Sequence, residues 1–136
     1  MSANTGRMAP TRLPISFIAT DSPEEARTFY ADVLGMELLE TTPFALVFSD
    51  CGQTLRVQIV SAFEPASYTV HGWSVSSISK EIEALTARGV NFQKYNQLSQ
   101  DEQGVWTTPD GHKVAWLNDP SGNILSLTQS QPQGRL

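Results

Sequence analysis

Cysteine is nearly missing from this chain of 136 residues, since Cys51 is the only one. A single cysteine cannot close an intramolecular disulfide, which excludes a disulfide-stapled secreted scaffold and predicts a cytoplasmic location. Cys51 lies in the turn-like stretch SDCGQT, where no basic residue adjoins it to activate the thiol. We therefore interpret Cys51 as an incidental turn residue and not as a nucleophile.

Basic residues are also scarce, with nine Lys and Arg against fourteen Asp and Glu and a formal net charge of −5. No run of Lys or Arg forms a basic stripe, so we expect no nucleic-acid partner. No apolar run is long enough to cross a membrane, and MSANTGRMAPTR lacks the apolar centre of a secretory signal. We expect disordered tails at residues 1–12 and 130–136 around one domain.

The first half of the chain begins with an apolar-rich strand from Ile15 to Thr20 that runs into a helix start. Ser22 is a good N-cap, and Glu25 completes a capping box with it. Gly35 stands where a helix usually ends. These signals predict a helix from Pro23 to Leu34.

The second half repeats this pattern. A strand over residues 72–76 meets a serine-rich cap, and Gly89 ends a helix predicted over Ser79 to Arg88. Gly35 and Gly89 are 54 positions apart, and the strand ends match at an offset of 56. A repeated unit of this size indicates a duplicated supersecondary motif.

Short strand-like segments follow each helix. The first half has MELLETT, FALVFSD and TLRVQIVS, and the second has VNFQKYN, GVWTTP, HKVAWLN and NILSLTQ. Each half therefore reads β-α-β-β-β, which predicts an α+β fold with modules at residues 13–62 and 68–129. Side by side, the modules would form a curved mixed sheet around a cleft, with the helices outside.

The most polar run of the second module is KYNQLSQDEQGVW, which contains a predicted lid or edge loop at residues 97–104. Tyr95, Gln100, Asp101 and Glu102 are within reach of the cleft mouth. Adjacent carboxylates on a strand point to opposite sides, so Asp101 and Glu102 are a poor acid–base pair. We interpret the run as a solvated loop.

Three segments carry a family resemblance: FYADVLGMEL, ALTARGVNF and DPSGNILSL, in this order on the paired pattern. Together they resemble the vicinal oxygen chelate superfamily, which contains glyoxalase I, extradiol dioxygenases, fosfomycin-resistance proteins and bleomycin-resistance proteins. The resemblance covers residues 13–129. It implies paired βαβββ modules around a cleft and assembly as a homodimer.

The resemblance also locates four metal-ligand positions, near the start of each module's first strand and on its last strand. Carried over by counting, they fall on Pro14, Val70, Gln58 and Ser126. Only Gln58 is a plausible donor, and a divalent ion needs three or four. We therefore predict no metal and no other cofactor. His71, next to Val70, is expected to point toward the helix side if Val70 faces the cleft.

The predicted cleft follows from strand alternation. From Ser126, alternation turns Leu125 and Leu127 toward the helices, and in the first strand it predicts that Ile15 and Phe17 face the core. The expected lining is Ser16, Ile18, Gln58, Trp106, Trp116 and Ser126.

This set suits a small, uncharged or aromatic molecule, as in bleomycin-resistance proteins. A metal-dependent lyase, transferase or dioxygenase with atypical ligands is the alternative function.

Overall fold

The computed structural model describes residues 11–131, so the expected tails lie almost entirely outside the described residues. The first module forms a four-stranded mixed sheet in the order β1-β4-β3-β2. Its elements are β1 (Ile15–Thr20), α1 (Pro23–Arg27), a π-helical segment (Thr28–Val33), β2 (Glu37–Thr41), β3 (Ala45–Asp50) and β4 (Gln53–Ile59). Strands β1 and β4 are parallel, and the other neighbours are antiparallel.

The second module repeats this topology in the order β5-β8-β7-β6, again with a parallel pair, β5 and β8, at one edge. Its elements are β5 (Thr69–Ser74), α2 (Ile78–Ala87), β6 (Trp106–Thr107), β7 (Lys113–Asn118) and β8 (Ile124–Gln129). The predicted α+β fold of two βαβββ modules is confirmed. The strand expected in VNFQKYN is wrong, because this segment makes only one isolated bridge, from Phe92 to Leu117, before the chain leaves the sheet.

The first helix differs from its prediction in two ways. Ser22 holds the N-cap position, but its side chain makes no cap hydrogen bond, so the capping box is absent. Its N–H instead donates to Thr20 Oγ1 at 3.0 Å. From Thr28 to Val33 the segment is π-helical, and the Leu34 N–H donates to the Phe29 carbonyl five residues back. Gly35 ends the segment as predicted, with φ at +81°.

The second helix matches its prediction to within one residue. It spans Ile78–Ala87, and the Ser77 side chain accepts a hydrogen bond from the Lys80 N–H. Its apolar face, Ile78, Ile82 and Leu85, is buried. Among the described residues, neither helix is long and apolar enough to cross a membrane.

Each sheet has a covered face and an uncovered face. Alternate residues such as Leu55 and Val57 in β4, and Leu125 and Leu127 in β8, are buried in one core cluster that joins both modules and both helices. The residues between them, including Gln58 and Ser126, point the other way. We call this second side the open face of each sheet.

The structure reverses the predicted faces of β1. Ile18 is only 3% exposed and belongs to the core, and Ser16 shares its side of the strand. Ile15 and Phe17 are 48% and 55% exposed on the open face. The predicted faces are one residue out of register with the observed strand. A slip of one residue exchanges every side chain between the two faces.

A buried carboxylate joins the two modules. Asp119 directly follows β7. The Tyr30 hydroxyl of the π-helical segment donates a hydrogen bond to Asp119 Oδ2 at 2.6 Å. The N–H groups of Ser121 and Asn123 donate to Asp119 Oδ1. The Asn123 amide nitrogen donates both to Asp119 Oδ2 and to the carbonyl of Ala19 in β1, each at 2.8 Å. Burial and the Asp119 charge raise the pKa of Tyr30 far above its usual value.

Replacing Tyr30 with Phe tests this junction. The hydroxyl is fully buried, so its loss leaves Asp119 short of one donor without opening a large cavity. We expect the free energy of unfolding to fall by about 1–3 kcal/mol. Urea denaturation followed by circular dichroism measures it. The matched change Tyr68→Phe, at a residue 69% exposed, should cost less than about 0.5 kcal/mol. Equal costs for the two variants would contradict the junction.

Candidate functional site

Three aromatic rings meet on the open face of the second sheet. Trp116 of β7 lies beside Trp106 of β6, with ring centroids 6.3 Å apart and planes 30° apart. Tyr95, in the loop before β6, meets Trp116 edge-on with centroids 5.5 Å apart. Burial raises the pKa of Tyr95, which keeps its hydroxyl protonated at neutral pH. We call Tyr95, Trp106 and Trp116 the aromatic cluster.

The loop before β6 holds Tyr95 in place. The Gln100 side-chain oxygen accepts a hydrogen bond from the Tyr95 N–H at 2.7 Å. The Gln100 amide nitrogen donates to the carbonyls of Gln93 and Gly104, at 2.9 and 2.7 Å. Asp101 Oδ1 accepts from the N–H groups of Gln103 and Val105, both at 2.9 Å. The predicted solvated loop is therefore internally braced, and Gln100 and Asp101 are positioning residues.

A row of three residues in register crosses the sheet below the cluster. Gly72 of β5 pairs with Ser126 of β8, and Ser126 pairs with Trp116 of β7. At the edge of this row the Trp116 indole N–H donates to Thr69 Oγ1 at 3.2 Å. Thr69 lies in β5, two strands from β7, so the indole extends across β8, and the small residues at 72 and 126 leave room for it.

A cavity of about 240 Å³ opens next to Trp116. It has both aromatic surface and hydroxyl or amide groups, and none of its described lining residues is charged. The lining consists of Ser67, Tyr68, Thr69, Tyr95, Gln97, Leu98, Trp116 and Ile124. Apolar walls with a few polar groups are typical of small-molecule sites. Tyr95 was expected within reach of the cleft mouth, whereas Tyr68 just before β5, Thr69 at its start and the loop residues Gln97 and Leu98 were not predicted.

The predicted lining residues fall into three groups. Trp106, Trp116 and Ser126 lie together on the open face of the second sheet. Gln58 lies on the open face of the first sheet, exposed to solvent. Ser16 and Ile18 are on the covered face and are corrections to the predicted set. Within one chain the structure therefore places three of the six predicted residues on one face, and of these Trp116 lines the cavity.

The donor set does not fit the divalent ion that the family resemblance implies. The open-face residue at the start of β1 is Ile15 rather than Pro14, and neither has a donor. Val70 packs against the core, and the neighbouring Thr69 hydroxyl already accepts from Trp116. Gln58 and Ser126 lie on different sheets. Among residues 11–131, no three His, Cys, Asp or Glu side chains converge as an ion would require.

His71 points toward the helix side, although the prediction required Val70 to face the cleft and Val70 packs against the core; the β5–β8 pairing shifts register between Thr69 and His71. Its Nε2 is 3.4 Å from Asp50 Oδ2, and its ring meets Trp73 edge-on with centroids 4.9 Å apart. These contacts bind β5 to the end of β3, so His71 helps to join the modules and is remote from the aromatic cluster.

Comparison with known proteins gives a consistent result. The family model for the Glyoxalase/Bleomycin resistance protein/Dioxygenase superfamily matches residues 12–127. A glyoxalase/bleomycin resistance protein/dioxygenase from Alicyclobacillus acidocaldarius has a TM-score of 0.69 at 20% identity, covering 96% of this chain and 99% of that chain. Among curated proteins, none matches this chain.

Two further solved structures have the same fold. Lactoylglutathione lyase from Agrobacterium tumefaciens has a TM-score of 0.67 at 16% identity, covering 90% of this chain and 96% of that chain. TnmS3, an antibiotic binding protein from Streptomyces sp. CB03234, has a TM-score of 0.66 at 23% identity, covering 92% of this chain and all (100%) of that chain. At these identities the likeness concerns the fold, which hosts more than one activity.

Replacing Gly72 with Ala tests the row below the cluster. A Cβ at position 72 would lie 2.5 Å from Ser126 Oγ and 2.9 Å from the Ser126 carbonyl oxygen, so β8 must shift. We expect a loss of about 1–3 kcal/mol in the free energy of unfolding and a changed near-UV signal from the tryptophans. The control Ser126→Ala should remain within about 0.5 kcal/mol. A Gly72→Ala variant with the same free energy of unfolding and the same near-UV signal as the unsubstituted protein would contradict this geometry.

Proposed function

The chain belongs to the Glyoxalase/Bleomycin resistance protein/Dioxygenase superfamily, and we propose that it binds a small uncharged or aromatic molecule without a catalytic metal. The observation that carries this proposal is the aromatic cluster on an open sheet face, next to a cavity whose described lining is uncharged. Sequestration needs stoichiometric binding and no turnover.

The cluster supplies the physical basis for binding. A planar ligand laid against Trp116 gains apolar burial, and aromatic pairs add about 0.5–1.5 kcal/mol beyond the buried area. Hydroxyl groups at Thr69 and Ser126, with the Gln97 amide, give a ligand polar partners that fix its orientation. A charged ligand would find no described counter-charge in the cavity and would lose hydration on entry.

The antibiotic binding protein TnmS3 shares this fold, which makes small-molecule binding a reasonable comparison, although the fold alone does not assign it. The lyase with the same fold favours no second function here, because the open-face donors Gln58 and Ser126 do not fit an ion. A cytoplasmic location is part of the proposal and rests on the one cysteine, which is exposed and unpaired.

We also propose that the chain forms a homodimer. Leu13, Ile15 and Phe17 are 80%, 48% and 55% exposed, and they lie at or before β1, the edge strand of the first sheet. Exposed apolar side chains grouped on one face of a sheet favour burial by another chain.

Replacing Trp116 with Ala tests the binding proposal. We expect affinity for uncharged bicyclic aromatic compounds, such as indole, quinoxaline and coumarin, to fall at least about tenfold, because the stacking surface is lost. Isothermal titration calorimetry and tryptophan fluorescence measure it. The control Trp73→Phe lies on the covered face and should leave affinity unchanged.

Three outcomes would contradict the binding proposal. One is equal affinity of the Trp116→Ala variant and the unaltered protein. Another is loss of binding after treatment with a chelator, together with one transition metal per chain by elemental analysis. The third is turnover of any bound compound that depends on a divalent metal.

Replacing Phe17 with Glu tests the dimer. A carboxylate cannot be buried at an apolar contact without a partner, so the mass measured by light scattering should fall from two chains to one. The matched control Phe44→Glu changes a 74% exposed residue between β2 and β3 and should leave the dimer intact. If the unsubstituted protein is a monomer by light scattering at high micromolar concentration, the dimer proposal is wrong.

A further inference from the structure

A second cavity lies between the two modules, on their covered faces. Its volume is about 130 Å³, and its walls are mainly apolar side chains from both halves of the chain. Leu34 and Met36 come from the first module, and Trp73, Leu85 and Leu127 come from the second. Because Trp73 and Leu127 face the covered side, this cavity is separate from the aromatic cluster.

One wall of this cavity carries a carboxylate with an unused oxygen. Asp50 Oδ2 accepts a hydrogen bond from the Trp73 indole N–H at 2.8 Å and lies 3.4 Å from His71 Nε2. Asp50 Oδ1 has no hydrogen-bond partner within residues 11–131. The Asp50 side chain is only 17% exposed, so this oxygen is largely withdrawn from solvent. A partly desolvated carboxylate oxygen gains from a donor, and most from a cationic one.

The described lining of the cavity has two carboxylates, and His71 contacts one of them, Asp50, from outside the lining. Glu81, on α2, is a second carboxylate and is exposed at the cavity. No lysine or arginine is among the described residues that line it. The hydrogen bond from Trp73 accounts for the position of Asp50 Oδ2. It does not account for the unpartnered Oδ1, for the second carboxylate at Glu81 or for the apolar cavity between them.

We propose that this inter-module cavity binds a small primary amine with a ring-sized apolar body. An apolar protein cavity of about 150 Å³ holds one benzene ring, so a volume of this order suits a single ring. The ammonium group donates to Asp50 Oδ1 and lies in the field of Glu81. Since both modules form the walls, an occupant bound only by the folded protein stabilises their association.

The experiment uses benzylamine as probe and benzyl alcohol as its neutral analogue of similar shape. We expect benzylamine to shift the Trp73 indole N–H resonance in NMR titration, and benzyl alcohol to bind about tenfold more weakly. Asp50→Asn keeps an oxygen that accepts from Trp73 but removes the charge. It should reduce benzylamine affinity to that of benzyl alcohol.

Two variants serve as controls. Asp32→Asn makes the same change of charge at an exposed position outside the cavity lining, and it should leave benzylamine affinity unchanged. Trp116→Ala, which removes the aromatic cluster, should also leave it unchanged. The amine site therefore succeeds or fails independently of the proposed function.

Four results would overturn the inference: no shift of the Trp73 resonance at millimolar benzylamine, equal affinity for benzyl alcohol, undiminished binding by Asp50→Asn, or loss of binding in Trp116→Ala. If Asp50→Asn does not fold, the comparison of the two probes on the unaltered protein still decides the question. Glu81→Gln, at an exposed position, then gives a second test, with an expected two- to threefold loss of benzylamine affinity.

Discussion

The Asp119 carboxylate is the constraint on which the arrangement of the two modules depends. It is 6% exposed, and it satisfies donors from its own turn, from Asn123 and from Tyr30 of the other module. Asn123 extends the network to the Ala19 carbonyl of β1. A buried charge is tolerated only when its hydrogen bonds are complete. Displacing either module would leave the buried Asp119 carboxylate without some of its hydrogen-bond donors. The network therefore fixes one relative position of two similar halves.

Because the modules pack together in this way, alternate residues of each strand have different roles: one set forms the core and the other set lies on the open face. The covered faces, with Leu55 and Val57 in one module and Leu125 and Leu127 in the other, make a single shared core. The intervening residues are free of that requirement, because sheets with one face buried tolerate varied residues on the other. Residues of the open faces, such as those around Ser126 and Trp116, can therefore change without loss of the core.

The sequence predicted the fold well because its signals are local and occur twice. Both helix ends are marked by glycine, and Gly35 ends its segment at a positive φ as expected. The faces of β8 were predicted correctly, since Leu125 and Leu127 alternate with polar neighbours. The faces of β1 were predicted wrongly because polar Ser16 lies on the covered side, while apolar Ile15 and Phe17 lie on the exposed side, the reverse of the usual pattern. The π-helical segment was missed because a 3.6-residue period contains no sign of it.

The residues on the open face of the second sheet suit a flat molecule better than an ion. An ion site needs several long donor side chains converging from separate strands. The row Gly72, Ser126 and Trp116 offers instead two of the smallest side chains followed by the largest. The small residues leave room for the indole, which stacks on Trp106 and extends across β8 to Thr69. Substitution of Ser126 by Glu alone would add one donor without a second on this row, because Gly72 has no side chain and Trp116 already donates to Thr69.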